Sequence, residues 1–213
     1  MTRRIADLFC GAGGAGMGLH RAGFEVVGYD IEPQPHYPFE FHQEDALAVD
    51  LSGFDAVWAS PPCQAYTRKS PTWGRERVTK LEHPDLLAPT RDLLDKAALP
   101  YIIENVVGAP MNAQIMLCGS MFGLHIRKHR LFEGNWAMGF SPASCNHARL
   151  YNPWSGVGRT ADKLRMAQGT PWIPMHGGAS RKNGITGDLN NAIPPAYSEH
   201  LGRQLLTHLG RSE

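Results

Sequence analysis

The chain has 213 residues, enough for one compact domain with its own core, and 42% apolar content with 23 glycines excludes a disordered or fibrous protein. No apolar run approaches the ~20 residues of a membrane span, and Asp7 interrupts the first apolar stretch, so a membrane partner and a secretory leader are not expected and a cytoplasmic location is. The net charge of +1 is unevenly divided, −6 over residues 1–60 (three Lys/Arg, nine Asp/Glu) and +7 over 125–187 (nine Lys/Arg, two Asp/Glu). Such a split is expected where one part holds a small ligand and another meets phosphates, although chance clustering on a solvated surface gives it too. The four cysteines, at 10, 63, 118 and 145, show no CxxC spacing; Cys145 and His147 could contribute to a metal site, but two stray residues more often mean nothing, and no metal site is expected.

In chain order, Arg4–Phe9 is a buried-strand candidate, followed by a glycine-rich turn over Cys10–Gly18. A helix beginning near Met17 ends at Gly23, and Phe24–Tyr29 forms a second strand with Asp30 at its tip. This is a βαβ unit with a nucleotide-type crevice. A third strand, Phe54–Ala59, is closed by Ser60-Pro61-Pro62; a helix over His83–Ala98 carries Leu86, Leu87, Leu93 and Leu94 on one face. Pro100–Ile103 is a strand with Glu104 at its carboxyl end. Alternating strands and helices predict an α/β fold with a doubly wound, mostly parallel sheet, in which ligands sit beyond the carboxyl ends of the strands. Asp30, Cys63 and Glu104 all fall there. Periodicity is lost from about residue 133 to 187 and returns in an amphipathic helix over Tyr197–Leu209. The expected organisation is a main body over 1–132, an irregular insertion over 133–187 with Trp136, Trp154 and Trp172 as a small core, and a returning segment over 188–213.

Three features carry chemistry. The turn Asp7-Leu-Phe-Cys-Gly-Ala-Gly-Gly14 lets backbone approach a ligand closely, but it is not the GxGxxG fingerprint, so hydride chemistry is not favoured. Cys63, held by prolines in Ser60-Pro-Pro-Cys-Gln-Ala65, is displayed as a nucleophile must be, whereas an arbitrary cysteine is more often a buried structural one. Glu104 in Glu104-Asn-Val is an acid leaving a buried strand, a costly place unless it is paired or working.

Together and in this order, these motifs resemble those of the DNA cytosine-5 methyltransferases. DLFCGAGGAGMGLHRAGF (7–24) is similar to the first motif of that family, YDIEP (29–33) to the acidic second, and ED (44–45) falls where a cofactor-contacting Asp stands. SPPCQ (60–64) resembles the nucleophile motif, ENV (104–106) the catalytic acid, RKHRLFE (127–133) the arginine motif and NNAIPPAYSEHLGRQLL (190–206) the last motif. Two motifs depart from the pattern: Ile126, Lys128 and Arg130 stand where the family has Gln-x-Arg-x-Arg, and Asn190-Asn191-Ala192 where it opens Gly-Asn-Ser. The 55 residues of 133–187 are short for a target-recognition region of the family.

The resemblance implies transfer of a methyl group from S-adenosylmethionine to carbon 5 of a flipped-out cytosine in double-stranded DNA, in a restriction-modification setting. It assigns Cys63, Glu104 and Arg130 to catalysis. Phe9, Gly11, Gly13, Asp30, Ile31, Asp45, Asn191 and Ala192 become the cofactor candidates, with Phe9 and Ile31 flanking adenine, Asp30 on the ribose and Asp45 on the adenine amine. Arg68–Lys80, with five basic residues and Trp73, suits a loop closing over DNA, and Arg149, Arg159, Lys163, Arg165, Arg181 and Lys182 suit phosphate contacts. A short recognition region also suits a homodimer on a palindromic site. The alternatives are a degenerate member that binds without turnover, the same chemistry on a nucleotide or RNA, and transfer from a modified sulfonium donor.

Overall fold

A computed structural model describes residues 2–66, 84–148, 160–174 and 187–210. The segment Arg68–Lys80 and residues His83, Trp154, Arg149, Arg159, Arg181 and Lys182 lie outside the described residues; 84–86 are described and not helical, so the helix expected from His83 starts only at Leu87.

Seven strands form one sheet in the order β3-β2-β1-β4-β5-β7-β6. β1 (Arg4–Leu8) lies at its centre, parallel to β2 (Glu25–Asp30) and β4 (Ala56–Ala59); β3 (Glu40–Gln43) joins β2 and β5 (Tyr101–Asn105) joins β4, both parallel. Only β7 (Arg130–Gly134) runs against the rest, pairing antiparallel with β5 on one side and with β6 (Ile115–Leu117) on the other. The expected mostly parallel, doubly covered sheet is therefore present, because Ile, Leu, Val and Ala fill both faces of β1 and β4, as two-sided burial requires. Glu104 differs in one respect: β5 runs on through Asn105, so the acid sits within the strand, paired opposite Phe132 of β7.

Helix α1 (Gly14–Ala22) starts three residues before the expected Met17, directly on Gly13, whose left-handed φ of 79° no larger residue adopts cheaply. Its end at Gly23 is as read: in the left-handed conformation, the Gly23 N–H reaches back to the Leu19 and His20 carbonyls. Glycine inside a helix costs about 1 kcal/mol relative to alanine, yet α1 carries it at 14, 16 and 18. The reason is α5 (Pro195–Leu209), which presses its face of Tyr197, Leu201, Leu205 and Leu209 against α1 and the sheet. A Cβ at Gly18 would stand 2.1 Å from the Pro195 carbonyl oxygen, and one at Gly14 would stand 2.4 Å from that of Ile193. Into the space so left, the Ser198 hydroxyl donates to the Ala15 carbonyl at 2.8 Å.

On the other face, α2 (Leu87–Ala97) buries Leu87 and Leu94, and its Arg91 grips buried Glu133 of β7 through Nε at 2.6 Å and Nη2 at 3.0 Å. Where periodicity was lost, α3 (Ala161–Gln168), capped by the Thr160 hydroxyl accepting from the Lys163 N–H, packs Ala161, Leu164 and Ala167 with Ala12, Ile126 and Leu189. Of the two described tryptophans of that stretch, Trp172 packs against this small cluster as expected, whereas Trp136 does not. Trp136 joins the central cluster and donates to the Tyr101 carbonyl, and Trp172 donates to the Ala12 carbonyl. No helix of the described residues is long and apolar enough to cross a membrane.

Alanine at an open helical position would add stability, whereas overpacking a closed one costs about 1–3 kcal/mol. Gly18→Ala is therefore expected to lower stability by about that amount in urea denaturation. An unchanged or raised midpoint would mean that α5 does not seat on α1 this closely.

Candidate active site

Ten of the eleven candidate residues line one cleft of about 390 Å³ at the carboxyl ends of β1, β2, β4 and β5. One wall is the cofactor-candidate group: Phe9 and Gly11 from the turn after β1, Asp30 and Ile31 from the end of β2, Asp45, and Asn191 and Ala192 from α4 (Gly187–Asn191) and just beyond it. The other is Cys63 with Glu104 and Arg130. Gly13 is the exception. It turns toward the segment after β2, where an added Cβ would meet Pro38 at 2.6 Å and Tyr37 at 3.0 Å, so its part is to let the turn pass that segment.

The glycine-rich turn is shaped by left-handed backbone at Phe9 (φ 57°) and Gly11 (φ 48°). Left-handed backbone is uncommon for a bulky residue such as Phe9 and is held only where surroundings insist on it. Here the Cys10 N–H donates to the Tyr29 carbonyl, and the Gly11 N–H to Asp30 Oδ2 at 2.9 Å. The other Asp30 oxygen accepts from the Glu32 N–H at 3.0 Å, so both oxygens are oriented yet keep lone pairs for hydroxyl donors. Ile31 is 66% exposed at the rim, an apolar face on offer to a flat apolar ligand. Asp45 orients itself by accepting from the Leu47 N–H.

Cys63 is placed by the turn after β4. The Ser60 N–H continues the sheet pairing to the Leu8 carbonyl, the Asn105 side chain donates to the Pro61 carbonyl at 3.1 Å, and the Tyr66 N–H closes on the Cys63 carbonyl. The half-buried Cys63 thiol is pushed up from its ordinary pKa, first by burial; the Arg130 guanidinium works against that rise and the Glu104 carboxylate adds to it. Glu104 is buried, and burial raises its pKa against the opposing pull of Arg130 and Lys128. Arg130 Nε stands 2.8 Å from Glu104 Oε1 without the alignment of a hydrogen bond, so that oxygen is buried and lacks a directed donor. Arg130 Nη1 is held by the His129 carbonyl at 2.9 Å.

Lys128 stands two residues before Arg130 in the stretch that resembles the arginine motif, and it was not among the candidates. The Lys128 ammonium is buried and donates to Gln168 Oε1 at 3.3 Å, to the Asn190 carbonyl at 3.1 Å and to the Ala192 carbonyl. It thereby holds Asn191 and Ala192 at the cleft. An isolated buried ammonium is prohibitive, so a lysine two residues before a site arginine on an alternating strand was the available signal. Pro61, Gln64, Gln34 and Asp188 also line the cleft and were not among the candidates.

No protein-family model matches the chain. By sequence it is similar to the type II methyltransferase M.AgeI of Thalassovita gelatinovora, 29% identical over 125 residues, with 49% of this chain and 28% of that relative covered. The match thus spans under a third of the relative's length. In fold it is similar to the S. pombe Dnmt2 methyltransferase (TM-score 0.66, 12% identity, 98% of this chain and 99% of that one covered). It is also similar to the Entamoeba histolytica methyltransferase EhMeth (TM-score 0.60, 11% identity, 100% and 99% covered). The fold is the Rossmann-like one of S-adenosylmethionine-dependent methyltransferases, and the likeness in sequence is to a type II methyltransferase.

The charges around Cys63 make opposite predictions for two variants. Alkylation follows the thiolate, so its rate rises with pH through the Cys63 pKa. Arg130→Gln removes the cation that lowers that pKa and should move the profile to higher pH; Glu104→Gln removes an anion and should move it lower. Peptide-resolved iodoacetamide kinetics read both shifts, and shifts of the same sign would refute the arrangement.

Proposed function

We propose that this chain transfers the methyl group of S-adenosylmethionine to carbon 5 of a cytosine in double-stranded DNA through a covalent adduct with Cys63. The observation that carries the reading is the single cleft shared by Cys63, Glu104, Arg130 and the Asp30 wall.

The cleft suits the donor on its own evidence: a carboxylate with two oriented oxygens for ribose hydroxyls, a backbone N–H turn, and an exposed isoleucine at the rim for an adenine face. Phe9 would lie on the opposite adenine face, with Asp45 at the amine and Asn191 and Ala192 closing the end held by Lys128. S-adenosylmethionine supplies an electrophilic sulfonium methyl when bound.

Carbon 5 of cytosine is a weak nucleophile and must first be made enamine-like. The Cys63 thiolate adds to carbon 6, and its electron pair displaces the ring π pair toward nitrogen 3, where Glu104 supplies or shares a proton. A raised Glu104 pKa serves this step, since it favours the protonated acid that nitrogen 3 needs. Arg130, buried beside Glu104, would hold the base carbonyl as charge develops. Carbon 5 then takes the methyl group, its proton leaves to base, and expulsion of Cys63 restores the aromatic ring. The reacting atoms are inaccessible in a duplex, so the base must be flipped at a cost of a few kcal/mol.

The exposed Lys163 on α3 and the basic residues of 125–187 would meet phosphates. So short a stretch suits a recognition sequence of a few base pairs, which a two-fold pair of chains would read as a palindrome.

With a duplex carrying 5-fluorocytosine, the proton at carbon 5 is replaced and release is blocked, so wild type should form a denaturation-resistant adduct in the presence of donor. Cys63→Ser should form none while still binding the donor; an adduct on the serine variant removes Cys63 from the role. Asp30→Ala should weaken S-adenosylmethionine binding by about 1–3 kcal/mol, the range for a lost charged hydrogen bond. Unchanged affinity by calorimetry would take Asp30 out of the site.

A further inference from the structure

Away from the cleft, four side chains treated as unconnected in sequence come together. Cys118, His129, Cys145 and His147 each direct one ligand-type atom into a common space, with all four atoms within 4.8 Å of one another. Cys118 Sγ lies 3.5 Å from His147 Nε2, and Cys145 Sγ lies 3.5 Å from His129 Nε2. The two imidazoles meet at 68° with centroids 4.9 Å apart.

We infer that Cys118, His129, Cys145 and His147 form a structural zinc site. A tetrahedral ion with Zn–S near 2.3 Å and Zn–N near 2.0–2.1 Å places sulfur and nitrogen ligands about 3.5 Å apart, so the two S···N separations are those the ion requires. Two thiolates with two imidazoles, and no carboxylate, form a donor set that selects zinc over the hard cations. Four protein ligands leave no open position, which makes the site structural and not catalytic. The Ser120 hydroxyl donates to Cys118 Sγ at 3.5 Å and itself accepts from the Asn146 N–H at 3.2 Å, an outer shell that orients a thiolate ligand and ties it to the Cys145–His147 segment.

The spacing hid the site because a hairpin builds it. The antiparallel register pairing Leu117 with Arg130 sets Cys118 opposite His129, and the chain after β7 returns to add Cys145 and His147. The ion would therefore pin the loop beyond β7 to the start of that strand, next to Arg130, whose Nη1 rests on the His129 carbonyl.

The test is metal content of the full chain, stripped with chelator under reducing conditions, reloaded with zinc and freed of excess. Wild type should retain about one zinc per chain; Cys145→Ser and His147→Ala, both at half-buried positions, should fall close to zero. His125→Ala, an exposed histidine of the same hairpin, should retain the metal. Cobalt in place of zinc should give the visible bands of a tetrahedral site with a thiolate charge-transfer band, lost in the same two variants. Substoichiometric zinc on wild type, full retention by both ligand variants, or a Cys118–Cys145 disulfide in protein alkylated directly at lysis would each overturn the site.

Discussion

A Cβ at Gly18 would sit 2.1 Å from the Pro195 carbonyl and one at Gly14 would sit 2.4 Å from that of Ile193, and on these two clearances the rest of the molecule depends. Because α1 offers bare backbone, α5 can lie against it closely enough for Ser198 to hydrogen-bond the Ala15 carbonyl. The segment before α5 is then drawn over the turn after β1, bringing Asn191 and Ala192 to a cleft built mostly from residues before 107, with Arg130 beside them. The helix propensity given up at three glycines is returned through a tightly packed contact between residues far apart in sequence.

The run from Ile126 to Arg130 shows a second economy of construction. Successive side chains of an extended segment alternate in direction, so 126, 128 and 130 share a side. Ile126 enters the apolar cluster beneath α3, Lys128 binds the carbonyls of Asn190 and Ala192, and Arg130 reaches Glu104. One alternating run thus joins core, clamp and site. Between them, His129 faces the cysteine–histidine cluster.

Burial is also what tunes the chemistry. It pushes both Cys63 and Glu104 away from their charged forms, and the Arg130 guanidinium opposes it at both. A carboxyl inclined to keep its proton and a thiol whose ionisation depends on a neighbouring cation suit an addition in which a base gains a proton as a thiolate adds to it.

Much of this was legible because it is local. Gly23 ends α1 through its left-handed backbone, Asp30 stands at the tip of β2, and prolines frame Cys63, each fixed by the residue's own stereochemistry. Five elements were not legible for want of a periodic signal: β3 is largely exposed, β6 is three residues long, β7 buries Arg130 and Glu133 among its apolar residues, the apolar face of α3 rests on Leu164 between alanines, and α4 has five residues. Sequence alone determined which groups the protein could use, since a thiol, a carboxyl or an oriented carboxylate is a property of one residue and its neighbours. Only the tertiary structure decided which of them meet. Lys128 satisfies its charge on carbonyls some sixty residues later, and Cys118 finds His147 across a hairpin, because distances between remote residues are set by strand register and helix clearance and not by spacing in the chain.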